Sequence, residues 1–426
     1  MNRQEILTVL RDTIDPEGEV YKRISLQYRD LTPESVERSK AHDLAPRVAE
    51  VLRRQPEYVR YPAMAIQVYF ARTSVEPNWA AEQLVLRAMR DNADNAVNWL
   101  ADIVERRHAT GKLVMPLWQL TIEKPITLTP SANLVPFHEL PQSFPKAWLE
   151  DPVNRIQGDG ILPVTSLGFD KPEAAITVRT DINPLFVNIL EFEQEPEEGS
   201  NPLDNIRLCL SAIGPYPLLG PIQWFQFDDA DLDAVGPRGF GSSRLEILPY
   251  SLPSPVALDA DAAQKIVPKF LALRGDDGVR TRRSLERLVQ AMLRRDPGNK
   301  AADLSIALET LLTDQAGEHT WKVSTRAGVL TGWHLRSKLD RRNVIAAAYQ
   351  MRSSLVHSGA ASRTVRVTGR GQQPAAAVCE EAARVCAGCI RAIIERGGIP
   401  SWPEFDLSGG ACGWPRAAPP SRRKKA

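Results

Sequence analysis

The stretch YQMRSSLVHSG, Tyr349 to Gly359, sets one arginine and one histidine five residues apart near the end of a predicted helix. Residues in a helix succeed one another about 100° apart around the axis. Val344, Ala348, Met351 and Leu355 follow steps of four, three and four, the stripe that a bundle helix buries. Ser353 and His357 lie about 200° beyond Met351 and Leu355, and so face away from that core. They share a face, Arg352 brings a long, always charged arm to the same side, and Tyr349 continues the line. A hydroxyl, an imidazole and a guanidinium on an outward surface can together hold a phosphate and move a proton near neutral pH. A histidine at a helix C-terminus also serves simply to offset the helix dipole. Position alone leaves both roles open.

Working outward, Asp340 is a candidate N-cap for RRNVIAAAYQMRSSLVH, and Gly359 lies just past its end. Before it, Ser284 is expected to cap SLERLVQAMLRR, DPG (Asp296 to Gly298) to end it, and AADLSIALETLL to start a second amphipathic helix. TWKVSTRAGVLTG reads as a third, closed by Gly332. PAAAVCEEAARVCAGCIRAIIERGG reads as the last, with Pro374 near its start and Gly397 and Gly398 after it. Four or five antiparallel helices with short connections predict a bundle over residues 258–400.

Upstream, residues 111–257 carry short apolar or β-branched runs (KLVMPLWQLTI, PITLT, AAITVRT, IQWFQF, RLEILPY) separated by Pro, Gly, Asn and Asp, which predicts a β-rich middle domain. Residues 1–110 read as three or four helices, with Thr32 a candidate N-cap for TPESVERSKAHDLAPRVAEVLRR. Residues 401–426, with Trp402, Trp414 and SRRKKA, are expected to form a loose, solvated basic tail. The expected fold class is therefore α+β and multidomain.

Composition bounds the function. The chain has 426 residues, 43% hydrophobic and 25% charged, with 53 basic against 52 acidic side chains, so a nucleic-acid role would have to rest on local charge. Between Trp321 and Arg370 ten basic residues face the single acid Asp340, an electrostatic footprint for a polyphosphate. The charged start MNRQEILTVLRD does not read as a secretory signal, and no run approaches the roughly 20 apolar residues of a membrane span. Five cysteines, three of them in one predicted helix, make a poor disulfide framework and point to the cytoplasm.

DLSIALETLL, EHTWKVSTRAGVL and YQMRSSLVHSG, in this order and spacing, resemble the Apea-like branch of the HEPN superfamily over roughly residues 265–398. The superfamily signature is an arginine followed within two helical turns by a histidine, often with a polar residue directly after the arginine. Arg352, Ser353 and His357 occupy those positions, although many active members carry Asn, Asp or His where Ser353 stands. The resemblance implies a bundle that forms a homodimer, with two motifs facing one cleft, and a metal-independent endoribonuclease needing no cofactor; related bacterial proteins act as toxins or in anti-phage defence. Arg352 and His357 would be catalytic, with Ser353 orienting the phosphate or the histidine, and Tyr349, Arg341 and Arg342 would contact RNA. Glu309 and Arg326 would form a buried pair bracing the bundle. Two alternatives stay open: a non-catalytic module that holds RNA, a nucleotide or a protein, and a purely structural dimer with Arg352 and His357 paired across its interface.

Other signals carry less. DDADLDAVG (Asp228 to Gly236) alternates carboxylates like a calcium loop, but its glycine comes late and no closing Glu follows. RGFGSS lacks the lysine of a phosphate loop and reads as a turn. Cys386 and Cys389 sit three apart inside a helix, where free cysteine packs as a small hydrophobe. His42, His108, His138, His319 and His334 are scattered without ligand spacing.

Overall fold

The computed structural model describes residues 2–18, 33–55, 64–68, 71–75, 77–150, 171–183, 185, 187–188, 201–230, 232, 241–242, 255–314, 319–359 and 362–414. Helix and sheet are mixed. The chain opens with α1 (Arg3–Ile14), α2 (Pro33–Arg53), the hairpin β1 (Met64–Val68) and β2 (Ala71–Val75), α3 (Pro77–Arg90) and α4 (Ala93–Glu105). Asn2 and Asn92 cap α1 and α4 by accepting from the backbone N–H of Glu5 and Asn95. The four helices bury Ile6, Leu10, Leu44, Val48, Leu84, Val97 and Leu100 in a core of their own. The hairpin interrupts what the sequence presents as an all-helical segment, and Thr32 lies outside the described residues.

Next come β3 (Ala109–Leu117), β4 (Leu120–Thr121), β5 (Ile126–Thr127), β6 (Ala132–Pro136), α5 (Phe144–Glu150), β7 (Ala174–Ile182), β8 (Val187–Asn188), α6 (Pro202–Ile213), β9 (Ile222–Phe227), β10 (Gly241–Ser242) and β11 (Val256–Ala257). Six strands form one antiparallel sheet in the order β10-β9-β3-β7-β6-β5, while β8 pairs with β1. Successive side chains alternate between its faces: Leu113, Met115, Ile176 and Phe225 enter one buried cluster, and Val114, Ala175 and Trp224 another. Both faces are covered, which is why β3 reads as a nearly unbroken apolar run. RLEILPY lies outside the described residues.

The C-terminal part holds α7 (Ala260–Ala272), α8 (Gly275–Leu293), α9 (Pro297–Leu312), α10 (His319–Thr331), α11 (Leu335–Ser358), the hairpin β12 (Thr364–Val367) and β13 (Gly371–Pro374), α12 (Ala375–Arg396) and α13 (Trp402–Leu407). α12 lies at the centre, burying Val378, Ala382, Cys386, Cys389, Ile390 and Ile393. One continuous buried cluster runs from the sheet through α6 into this bundle. Burial raises the Cys379 thiol to about 11 and the Cys389 thiol to about 12, so both stay protonated and serve as packing. Among the described residues no helix is long and apolar enough to cross a membrane.

Three local expectations are corrected. Ser284 does not cap a helix: α8 begins nine residues earlier, at Gly275, with Asp276 and Asp277 in its first turn, and the buried Ser284 hydroxyl donates to the Ala307 carbonyl at 2.9 Å. Asp340 lies inside α11, whose cap is His334 in a reciprocal pair with Ser337, and its carboxylate accepts from Arg370. The tail is not loose as far as Trp414, because α13 buries Trp402 and Phe405 against the bundle and Trp414 stacks edge-on against Phe405. Gly359 does end α11, in the left-handed conformation at φ 72° that glycine adopts without steric cost.

Candidate functional site

A three-residue connection makes α10 and α11 an antiparallel pair. They cross closely at Gly328, where a Cβ would stand 2.5 Å from the Lys338 carbonyl oxygen and 3.3 Å from Arg342. Counting nine residues back along α10 and nine forward along α11 from that crossing brings His319 level with Ala347 to Met351. On its other side α11 runs beside α9, with Ser305 against Tyr349 and Glu309 against Arg352. α9, α10 and α11 thus converge on a cleft of about 430 Å³ whose walls include Glu309, His319, Thr320, Tyr349, Arg352, Ser353, Val356 and His357.

Arg352 is the centre of this cleft. Its Nη1 donates to Glu309 Oε1 at 2.5 Å, and its guanidinium lies 5.8 Å from the Tyr349 ring centroid. Among the described residues its remaining N–H groups have no acceptor, so a guanidinium aimed by Glu309 keeps donors for a phosphate. Ser353 and His357 are exposed, as the helical wheel predicts, and among the described residues neither side chain makes a hydrogen bond. Tyr349 departs from the wheel: it is 6% exposed, because α9 covers the side of α11 that the wheel leaves open. Its hydroxyl sits 3.5 Å from the Ser305 carbonyl, and burial, reinforced by the Glu309 carboxylate, pushes the phenol well above its ordinary range. It is a neutral donor in the wall of the cleft rather than a surface contact.

The end of α9, one turn past Glu309, is held by two arginines. Arg280 donates to the carbonyls of Thr310 at 2.8 Å and Thr313 at 2.7 Å, and Arg326 donates to that of Leu312 at 2.5 Å. These bonds satisfy carbonyls that a helix end leaves open, and they fix Glu309 beside Arg352.

The expected Glu309 to Arg326 pair is not formed. Arg326 instead pairs with Asp406 at 2.6 Å and Asp314 at 3.3 Å and lies over the Trp402 ring, while Glu309 serves Arg352. The basic footprint is correspondingly smaller than the sequence suggests, since Arg370 is taken up by Asp340 and Glu381. Arg341 and Arg342 stand about three turns of α11 from Arg352, roughly 15 Å along the axis, and do not line the cleft. His319 does line it, although the sequence offers it only as one of five scattered histidines.

A larger cleft of about 690 Å³ lies among α1 to α4. Of its carboxylates, Asp94 and Glu37 are paired with Arg11 and Arg90, and among the described residues no imidazole or thiol lines it. Comparison with protein-family models, with curated proteins and with solved structures finds no match to this chain.

Proposed function

We propose that the chain is a metal-independent endoribonuclease of the HEPN type, with residues 258–400 as its catalytic bundle, on the strength of the Apea-like resemblance over roughly residues 265–398. The observation that carries this reading is the outward Arg352, Ser353 and His357 triad in a cleft where Glu309 aims the guanidinium and leaves donors for a phosphate. In the reaction the ribose 2′-oxygen bonds to phosphorus and the bond from phosphorus to the 5′-oxygen breaks. The 2′-hydroxyl loses a proton and the 5′-oxygen gains one, leaving a 2′,3′-cyclic phosphate and a 5′-hydroxyl. His357 handles a proton, Arg352 stabilises charge on the phosphoryl oxygens, and Ser353 orients the phosphate. DNA, without a 2′-hydroxyl, is not cut.

The working form is a homodimer through the bundle. Trp333, just before α11, and Leu335 and Leu339 in its first two turns support it: they are 89%, 73% and 48% exposed, apolar surface suited to burial against a second copy. Light scattering at micromolar concentration reads this directly, and a monomer contradicts it. Stress or anti-phage defence in the cytoplasm is the setting that the resemblance supports, with the segments before residue 258 supplying regulation or target recognition.

The second reading, a non-catalytic RNA, nucleotide or protein-binding module, is favoured by the bond between Arg352 and Glu309, which occupies part of the guanidinium before any ligand arrives. Incubating mixed RNA in EDTA with the wild-type protein, Arg352→Ala and His357→Ala separates them. Cleavage by the wild type alone supports the enzyme. Equal cleavage by all three refutes it, and retained RNA binding without cleavage identifies the module.

A further inference from the structure

We propose that His319 is the second proton-transfer group of this cleft; this rests on the endoribonuclease reading and deepens it. Attack by the 2′-oxygen and departure of the 5′-oxygen occur roughly in line, on opposite sides of phosphorus. A base is needed on one side and an acid on the other, a division that one imidazole in one place does not serve in a single step. His319 and His357 come from different helices, α10 and α11, and line the same cleft. The level of His319, beside Ala347 to Met351, lies about 9–15 Å of axial rise from His357, so the two imidazoles enter the cleft at separate points along α11.

The other polar groups of the cleft are poorly suited to the task. Glu309 is bound to Arg352, the Tyr349 phenol is buried and stays protonated, and Thr320 and Ser353 offer only hydroxyls that do not ionise in the working pH range. Among the described residues the charged and titratable groups that share the cleft with His319 include Glu309 from α9 and Tyr349, Arg352 and His357 from α11, with Lys322 one turn along its own helix. α12 meets α10 at the far end, where Gly388 lies against Thr331. His319 itself is half-buried at the first position of α10.

The test is the pH dependence of single-stranded RNA cleavage in EDTA by the full chain. The wild type should show a two-limbed profile. His319→Gly should be slower by about 10²–10⁴-fold, should lose one limb, and should recover activity on addition of free imidazole. His319→Gln, followed by melting temperature, controls for folding. If His357→Ala is inactive while His319→Gly keeps the wild-type rate and both limbs, the assignment of His319 falls and the endoribonuclease reading stands. Loss of activity with no imidazole rescue and both limbs intact in His319→Gln also overturns it, because that marks a structural role. If the wild type cuts no RNA, or His357→Ala cuts as well as the wild type, the endoribonuclease reading falls and this inference with it.

Discussion

Two arginines in neighbouring helices of the bundle have opposite fates. Arg326, on α10, is 3% exposed in its side chain, and its guanidinium is spent on Asp406, Asp314 and the Leu312 carbonyl while stacked on Trp402. Arg352, on α11, is 35% exposed and gives one short bond to Glu309. A saturated guanidinium holds a structure together; one aimed by a single carboxylate with donors to spare can hold a substrate. The bundle places the first where α13 closes over it and the second where α9, α10 and α11 leave a cleft.

The largest effect that sharpens this contrast is on stability. Arg326→Ala strands two carboxylates and a helix-end carbonyl, and should cost about 3–5 kcal/mol, read by urea denaturation. Deleting residues 402–426 removes Asp406, Trp402 and Phe405 together and should cost at least as much; unchanged stability would return the tail to the loose state expected from its sequence.

Arg352→Ala should behave in the opposite way. RNA cleavage should fall about 10²–10³-fold, while stability changes by no more than about 1 kcal/mol, as for a half-exposed ion pair. Strong destabilisation by this substitution would erase the distinction. Glu309→Gln is subtler, removing the charge that aims Arg352 but leaving the shape, and should slow cleavage about tenfold with little change in melting temperature.

The smallest effect is pH-dependent. Burial alone would raise the Asp314 carboxyl, but the charge of Arg326 and the hydrogen bonds it receives outweigh that and hold it below its ordinary range. A lowered folded-state pKa contributes stability that is complete above about pH 4, the unfolded value, and is lost as pH falls through the folded one. Asp314→Asn should therefore flatten the acid side of the stability profile and leave the neutral plateau slightly lower. An unchanged acid limb would show that Asp314 does not share Arg326.

Faces were more legible in the sequence than partners. The spacing of Met351, Ser353, Leu355 and His357 within one helix fixes which side each takes, because a helix has one geometry. Tyr349 escaped that logic because burial depends on α9, a second helix over a face that one wheel leaves blank. The Glu309 to Arg326 pairing failed for the same reason: Glu309 meets whichever residue the packing of α9 and α11 sets beside it, and the partner of Arg326 lies 80 residues away in α13. Caps were ambiguous where a polar residue had another use, as with Ser284 and Asp340, whereas Asp276 and Asp277 in a first turn and His334 with Ser337 were signals present but unweighted. α6 was missed: Asn201 and Pro202 ahead of an apolar run signal a helix start, but they fall within a segment that reads as strands throughout. His319 needed the α10 to α11 crossing at Gly328 before counting residues could bring it to the cleft.

The most direct test of the central claim is chemical. The wild-type protein in EDTA should cut an RNA oligonucleotide to leave a 2′,3′-cyclic phosphate and a 5′-hydroxyl, and a single 2′-deoxy substitution at the cut position should abolish that cleavage. Cutting that persists at the deoxy position, or termini bearing a 5′-phosphate, would contradict attack by the 2′-oxygen at Arg352 and His357.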